Sequence, residues 1–383
     1  MKITFIMGNG FDIGLGLNTS YENFYEQYCI NQNDDTYNIK DFKTMLKRRN
    51  KDNKRKIIDW SDFEKAFGQH SRKFTLETKR DYIERFEHFV MSFNQYLEDE
   101  EKKADYSNKD SIAETMKNGV TTFFHIRPAD RDAIQAIYNH LGSTRTYNFI
   151  SFNYTKTVDR CAQILKESLK KDSLRKVDKV LHIHGYIEEN MIMGVNDPTQ
   201  ITKTELANDV DVVREIVKPQ QNADVRSNYE KKVTETINAS DIICVYGMSI
   251  GETDKKWWNL IASWLAKSKN RALVIMNYDK KYTPKFTFYQ NRYTDEVVNR
   301  FITLSEQPES VVEDIRSRIF VGMNHNVFAM NLRKEEPDEQ EMFLRAVRAG
   351  EQAQRIMNDN SDIMAAALAA YDKVPSLMGK DKK

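Results

Sequence analysis

Four short polar clusters carry the residues best suited to chemistry: Gly8-Asn9-Gly10-Phe11-Asp12, Ser151-Phe152-Asn153-Tyr154, His182-Ile183-His184-Gly185 and Gly247-Met248-Ser249-Ile250-Gly251. Each follows a short apolar run. Glycine lets a backbone turn sharply and approach a pyrophosphate, and the first amides of a helix can donate to it. The first cluster departs from the G-x-G-x-x-G spacing, because position 13 is Ile and Gly14 follows. It therefore reads either as a nucleotide loop or as a tight strand-to-helix turn. Asp12 sharpens that choice, since a carboxylate beside phosphates repels them unless it faces a ribose hydroxyl or a cation. An imidazole with a pKa near 6.5 can take a proton at neutral pH. A histidine at a strand end is otherwise a satisfied structural residue. His182 and His184, two apart, would share one face of a strand. They lack the third ligand and the Cys or Asp/Glu cluster that a metal site needs, so no metal is expected.

These clusters must be positioned by the elements between them. Ile3 to Met7, Thr146 to Phe152, Val180 to His184, Met191 to Val195, Asp241 to Tyr246 and Arg271 to Asn277 read as short buried strands. Helical patterns separate most of them, as over Tyr154 to Lys170 and Asp254 to Lys267. Tyr21 to Tyr28 reads as a helix capped from Asn18-Thr19-Ser20. Strands alternating with helices predict βαβ units and a mostly parallel sheet covered on both faces. Ligands of such sheets bind in the crevice outside the carboxyl ends of the strands, so the four clusters should converge there.

Between residues 31 and 119 the chain is charged, free of proline and spaced like helices. Tyr82, Phe86, Phe89, Phe93 and Leu97 recur at helical intervals and read as ordinary packing. The expected organisation is an α/β domain over 1–30 and 120–335, a helical insertion over 31–119, and a helical C-terminal tail over 336–383.

Composition removes several classes. Only 14 glycines and 7 prolines occur in 383 residues, too few for an all-β protein built on tight turns. Basic and acidic residues number 58 and 57, so no global positive field recruits nucleic acid, although a local patch stays open. Nucleic acid is not an expected partner. Cys29, Cys161 and Cys244 are widely separated, which fits a reducing compartment and no disulfide framework. No apolar run is long enough to span a bilayer. The expected location is the cytoplasm, with no membrane partner. Trp257, Trp258 and Trp264 read as core, and Asn196-Asp197 as a turn.

In order and wording, these motifs resemble a known superfamily and, within it, a family. A glycine-rich N-terminal loop, an asparagine motif at Asn153, His184-Gly185, and Gly247 with Ser249 resemble the sirtuin superfamily. The stretches FIMGNGFDIGLGLNTSYENF, Trp60 to Glu64, FISFNYT, HIHG with MGVND, and YGMSIGETDKKWW look like the abortive-infection AbiH family of bacterial anti-phage proteins. The likeness covers roughly residues 1–280. It implies a sirtuin-like, Rossmann-type fold and an NAD site, with NAD hydrolysed to nicotinamide and ADP-ribose. The implied catalytic pair is Asn153 and His184. The implied cofactor-binding set is Gly8, Asn9, Gly10, Phe11, Asp12, Ser151, Gly185, Gly247 and Ser249. NAD or a related nucleotide is the expected partner. A phage-derived trigger and a homo-oligomer stay open.

The chain departs from the sirtuin pattern in three respects. Thr155 stands where a sirtuin has an aspartate that holds the carboxamide, and Asp12 or Asp159 would have to replace it. The zinc-binding cysteines of protein-deacetylating sirtuins are missing, and so is the arginine that follows the glycine loop. The alternative function is therefore a catalytically silent sensor or scaffold that binds NAD or ADP-ribose in phage defence.

Overall fold

Runs such as IICVY over 242–246 and ALVIM over 272–276 are apolar without alternation, as strands covered on both faces must be. The computed structural model describes residues 1–31, 37–52, 57, 60–121, 125–187, 189–283 and 285–334. The expected tail over 336–383 lies outside the described residues. Met1–Arg333 form one compact unit, sheet and helical insertion together.

In chain order, β1 (Lys2–Met7) leads into the short α1 (Gly10–Gly14). Next come α2 (Tyr21–Tyr25), α3 (Tyr37–Lys51), α4 (Trp60–His70), α5 (Lys79–Lys102), α6 (Lys109–Thr121) and α7 (Pro128–His140). Then β2 (Arg145–Ser151), α8 (Thr157–Ser168) and β3 (Arg175–His182) complete the first half of the sheet. After α9 (Thr204–Ala207), α10 (Val210–Ile216) and α11 (Lys218–Asn238), the chain forms β4 (Ile242–Tyr246), α12 (Lys255–Ala266), β5 (Ala272–Asn277), α13 (Thr287–Ser305), α14 (Glu309–Arg316) and β6 (Ile319–Met323). The helix read at Tyr21 to Tyr28 is α2, continued by a π-helical stretch over Glu26–Asn31.

All six strands are parallel, in the order β3-β2-β1-β4-β5-β6. That is the strand order of a doubly wound dinucleotide-binding fold, with its switch point between β1 and β4. Alternate residues serve opposite cores. Ile3, Phe5, Met7, Phe149, Cys244 and Val274 pack with apolar residues of α6, α7 and α8. Ile6, Ile150, Ile243, Val245, Leu273 and Ile275 pack with α11 to α14 on the other face. A third, aromatic core lies in the insertion, where Phe63 stacks on Phe89 at 3.8 Å and Phe67 on Tyr82 at 4.7 Å.

Two strand readings need correction. Met191 to Val195 is no strand: it makes one bridge, Val195 with Val217, and its Met193 and Val195 fill the insertion core. The sixth strand is instead β6, which the sequence reading passed over. The expected end of the insertion at residue 119 falls inside α6. Ile112, Met116 and Val120 of α6 pack in the sheet core, while residues between 187 and 217 complete the insertion core.

Candidate functional site

A cavity of about 570 Å³ opens outside the carboxyl ends of the strands at the switch point. The turns after β1, β2, β3, β4 and β5 all reach it, and Trp60 and Glu64 of α4 with Phe93 of α5 close it from the insertion side. Its size falls within the usual range for small-molecule and cofactor sites. Of the expected site residues, Gly8, Asn9, Gly10, Asp12, Asn153, His184, Gly247 and Ser249 line it. Phe11, Ser151 and Gly185 do not. Phe11 is core, edge-on to Phe328 at 5.9 Å. Ser151 is fully buried and its hydroxyl accepts from the Asn153 amide at 3.1 Å. Gly185 turns back on the chain, where a Cβ would run into the Asn190 carbonyl.

The glycines of the two central turns are spent first on each other. A Cβ on Gly10 would stand 2.5 Å from the Gly247 Cα, and one on Gly8 would stand 2.7 Å from the Gly247 carbonyl oxygen. Gly247 itself has φ +65°, a left-handed conformation that other residues adopt at a cost of about 1–2 kcal/mol. The Gly10 amide donates to the Gly247 carbonyl at 2.6 Å and the Phe11 amide to the Gly8 carbonyl at 2.9 Å. Those two amides, expected to face a pyrophosphate, therefore already have acceptors. What the glycines secure is a backbone-to-backbone contact between the β1 and β4 turns. Asn9 is fixed in turn, since its side chain donates to the Thr19 carbonyl at 2.9 Å and accepts from the Thr19 hydroxyl.

Asp12 lines the cavity but is held by protein donors. Fully buried, it accepts hydrogen bonds from Asn153 Nδ2 at 3.0 Å, from the Thr155 hydroxyl at 2.6 Å and from the Thr157 hydroxyl. Burial raises its pKa from 3.8 to about 6, against the pull of those three donors. Thr155 thus serves to anchor Asp12. The other end of the Asn153 amide is different. Its Oδ1 is buried with no hydrogen-bond partner among the described residues, a state that costs about 1–3 kcal/mol unless a ligand or water supplies a donor.

The two histidines go separate ways. β3 ends at His182, and the bend that follows breaks the alternation that would have put both rings on one face. His182 Nε2 lies 2.6 Å from Asp159 Oδ2 and Nδ1 lies 3.2 Å from the Asn153 carbonyl, so it braces the β2 turn from outside the cavity. That pairing also occupies Asp159. His184 lines the cavity between the rings of Phe152, at 5.3 Å, and Tyr154, at 6.3 Å. Burial, helped by the charge of Lys218, holds its pKa well below 6.5, so the imidazole is neutral.

Beside His184 lies a buried ionic group whose members received no role from sequence. Lys218 Nζ is 2.9 Å from Glu64 Oε2 and 3.7 Å from Asp254 Oδ1, and Asp254 Oδ1 is 3.7 Å from His184 Nε2. Burial acts to lower the Lys218 pKa, but the Glu64 and Asp254 carboxylates outweigh it and keep the ammonium protonated. The amide of Gly194 donates to Glu64 Oε1 at 3.3 Å. Burial raises the Glu64 pKa from 4.5 to about 7 against the pull of Lys218, so above that pH one ammonium faces two carboxylates and a neutral imidazole, an arrangement suited to receiving a cationic group. Glu64 and Asp254 lie within the Trp60 to Glu64 and YGMSIGETDKKWW stretches, where buried acids among apolar residues were the available signal. Lys218 carried none.

The tryptophan and Asn196-Asp197 readings agree with the structure. Trp258 and Trp264 are core, their indole N–H groups donating to the Gly251 and Ser240 carbonyls at 2.9 Å. Asp197 caps the short turn at Pro198–Gln200. The three cysteines are free and buried. Among the described residues no group of three or more His, Cys, Asp or Glu is placed to hold a metal ion, and no helix is long and apolar enough to cross a membrane.

Residues 4–276 match the family model described as bacteriophage abortive infection AbiH, a span of well over half the chain. No curated protein matches the chain.

Proposed function

The chain belongs to the bacteriophage abortive-infection AbiH family, and from that premise we propose that it hydrolyses NAD to nicotinamide and ADP-ribose in the switch-point cavity. The observation that carries this reading is the presence, in one cavity, of the unsatisfied Asn153 Oδ1 and a neutral His184 whose Nε2 lies 3.7 Å from Asp254 Oδ1. Breaking the glycosidic bond sends its electron pair to the pyridinium nitrogen, so nicotinamide leaves neutral without a general acid. The carbon left behind is electron-poor, and above about pH 7, where Glu64 ionises, the net negative charge of Glu64, Lys218 and Asp254 supports it electrostatically. Asn153 Oδ1 would hold the attacking water or a ribose hydroxyl. His184 would take the proton that water releases, and Asp254 would steady the imidazolium.

A second reading, a pocket that binds the nucleotide without turnover, has its own support. Thr155, where the resemblance has an aspartate that holds the carboxamide, is spent on Asp12.

One assay separates the two. Purified protein is incubated with NAD, with and without phage lysate, while nicotinamide release and NAD binding are followed. Hydrolysis is expected to fall about a hundredfold or more in His184→Ala and in Asn153→Ala with the fold retained. Saturable binding without nicotinamide at any enzyme concentration would leave the binding reading. Neither binding nor release would overturn both.

A further inference from the structure

At the outer mouth of the cavity, past the end of β5, the chain reads YDKKYTPKFTFYQNRY over residues 278–293. Every large apolar side chain in that stretch is aromatic; it holds no Leu, Ile, Val or Met. Four basic residues stand there against one acidic residue, Asp279, in a chain whose charges otherwise nearly cancel. Several of the rings are left in solvent: Tyr278 is 72% exposed, Phe286 52% and Phe288 62%. They are also organised. Phe286 and Phe288 lie nearly parallel, 5.3 Å apart at 15°, and Tyr289 lies 4.6 Å from Phe288. The Arg292 guanidinium sits 4.8 Å over the Tyr289 ring. Lys280, Lys281, Lys285 and Arg292 are exposed, and none forms an ion pair among the described residues.

We propose that this rim binds single-stranded nucleic acid, the strand's bases stacking on the exposed rings and its phosphates running along the unpaired lysines and Arg292. Interleaved rings and cations are what a sequence-tolerant single-strand platform requires, because every base has a π-face and every nucleotide a phosphate. A duplex hides its bases and would meet only the cations. The four unpaired cations favour a polyanion, and the exposed rings favour one that presents unstacked bases. The rim adjoins the candidate site, since Tyr278 and Tyr293 line the cavity mouth. A bound strand would therefore lie across the entrance through which a nucleotide enters.

The test uses the full chain and needs no turnover, so its outcome is independent of the NAD reading. Fluorescence anisotropy is measured with labelled oligothymidylate and oligouridylate of about 12 nucleotides, a length within the span of such sites, and with a duplex of equal length. Single strands are expected to bind more tightly than the duplex. Affinity should fall with salt by ~0.7 logarithmic units per contacted phosphate for each tenfold rise. Phe286→Ala with Phe288→Ala should weaken binding about tenfold or more. Lys281→Glu with Lys285→Glu should weaken it and flatten the salt dependence. All four residues are on the surface, and circular dichroism checks that the fold is retained. Three results would overturn the proposal: no binding of any strand at low salt, equal affinity for the duplex, or no effect of the phenylalanine substitutions. Sedimentation with anionic phospholipid vesicles and gel filtration complete the test. Binding to vesicles but not to strands, or a dimer that the phenylalanine substitutions dissociate, would assign the patch to a membrane or to a second copy and equally overturn it.

Discussion

Asp12 and His184 line the same cavity, and burial acts on them in opposite senses. For Asp12 the folded pKa is raised, from 3.8 to about 6, so between those values the folded chain binds more protons than the unfolded one. Its contribution to stability is complete below 3.8 and is lost as pH rises through about 6. For His184 the folded pKa is depressed, so its contribution is present above 6.5 and is lost as pH falls towards the folded value. Each unit of difference between folded and unfolded pKa is worth about 1.4 kcal/mol. Urea midpoints recorded against pH should separate the two groups. Asp12→Asn is expected to abolish the loss of stability on going from 3.8 to about 6, at a cost in overall stability from the disturbed Thr155 and Thr157 bonds. His184→Gln is expected to remove the decline that begins below 6.5. A wild-type stability curve unchanged by either substitution would show that neither group is buried as described. The same depressed pKa bears on catalysis: nicotinamide release should pass through pH 6.5 without the inflection of an ordinary imidazole.

At the scale of elements, a buried ion pair links the helical insertion to the start of α11. Glu64 stands on α4 and Lys218 opens α11, both side chains about 5% exposed or less. Removing one partner strands the other in a dry site, at a typical cost of about 3–5 kcal/mol, whereas replacing both with neutral groups of similar shape is often far milder. Lys218→Met alone should therefore lower the denaturation midpoint strongly, and Glu64→Gln with Lys218→Met should recover most of the loss. A double-mutant cycle whose two single costs simply add would show that the pair does not join these elements. This contact also marks where sequence reading stopped. Its partners lie 154 positions apart, and no periodicity or local motif links residues across such a separation. The strands carrying Gly8, Asn153 and Gly247 were legible because a buried parallel strand writes itself as a continuous apolar run. Met191 to Val195 has the same composition, but it covers the insertion rather than pairing in the sheet, and composition alone does not separate the two. His182 and His184 were misread together because the alternation argument assumed that the strand continued two residues further than it does.

For the molecule as a whole, alternating strands and helices were enough to reach a parallel sheet with helices on both faces, but not its right-hand edge. The family match stops at residue 276, inside β5, while the compact unit continues to Arg333. The intervening residues belong to the domain physically. β6 pairs with β5 from Leu273 to Asn277. Phe328 packs against Phe5, Phe11 and Tyr246 with ring separations of 5.7, 5.9 and 5.0 Å, and it occupies space that Gly119 leaves by having no side chain. The Leu332 amide donates to the Leu15 carbonyl at 2.8 Å, which ties this segment to the helix after the first glycine turn. A chain ended after residue 276 would lose Phe301, Ile315 and Val321 from one core and Phe320, Phe328 and Leu332 from the other. Each such deletion in a core typically costs about 2–5 kcal/mol, against a total domain stability of about 5–15 kcal/mol. That shorter chain is expected to show no cooperative thermal transition, whereas a chain ended after residue 334 should retain one. Phe328→Ala in the full chain tests the same contact by a single change, with an expected loss of about 3–5 kcal/mol in denaturant unfolding. A cooperative transition in the chain ended at 276, or a Phe328→Ala variant as stable as the parent, would mean that the edge strand and its closing segment are not needed to hold the switch-point turns together.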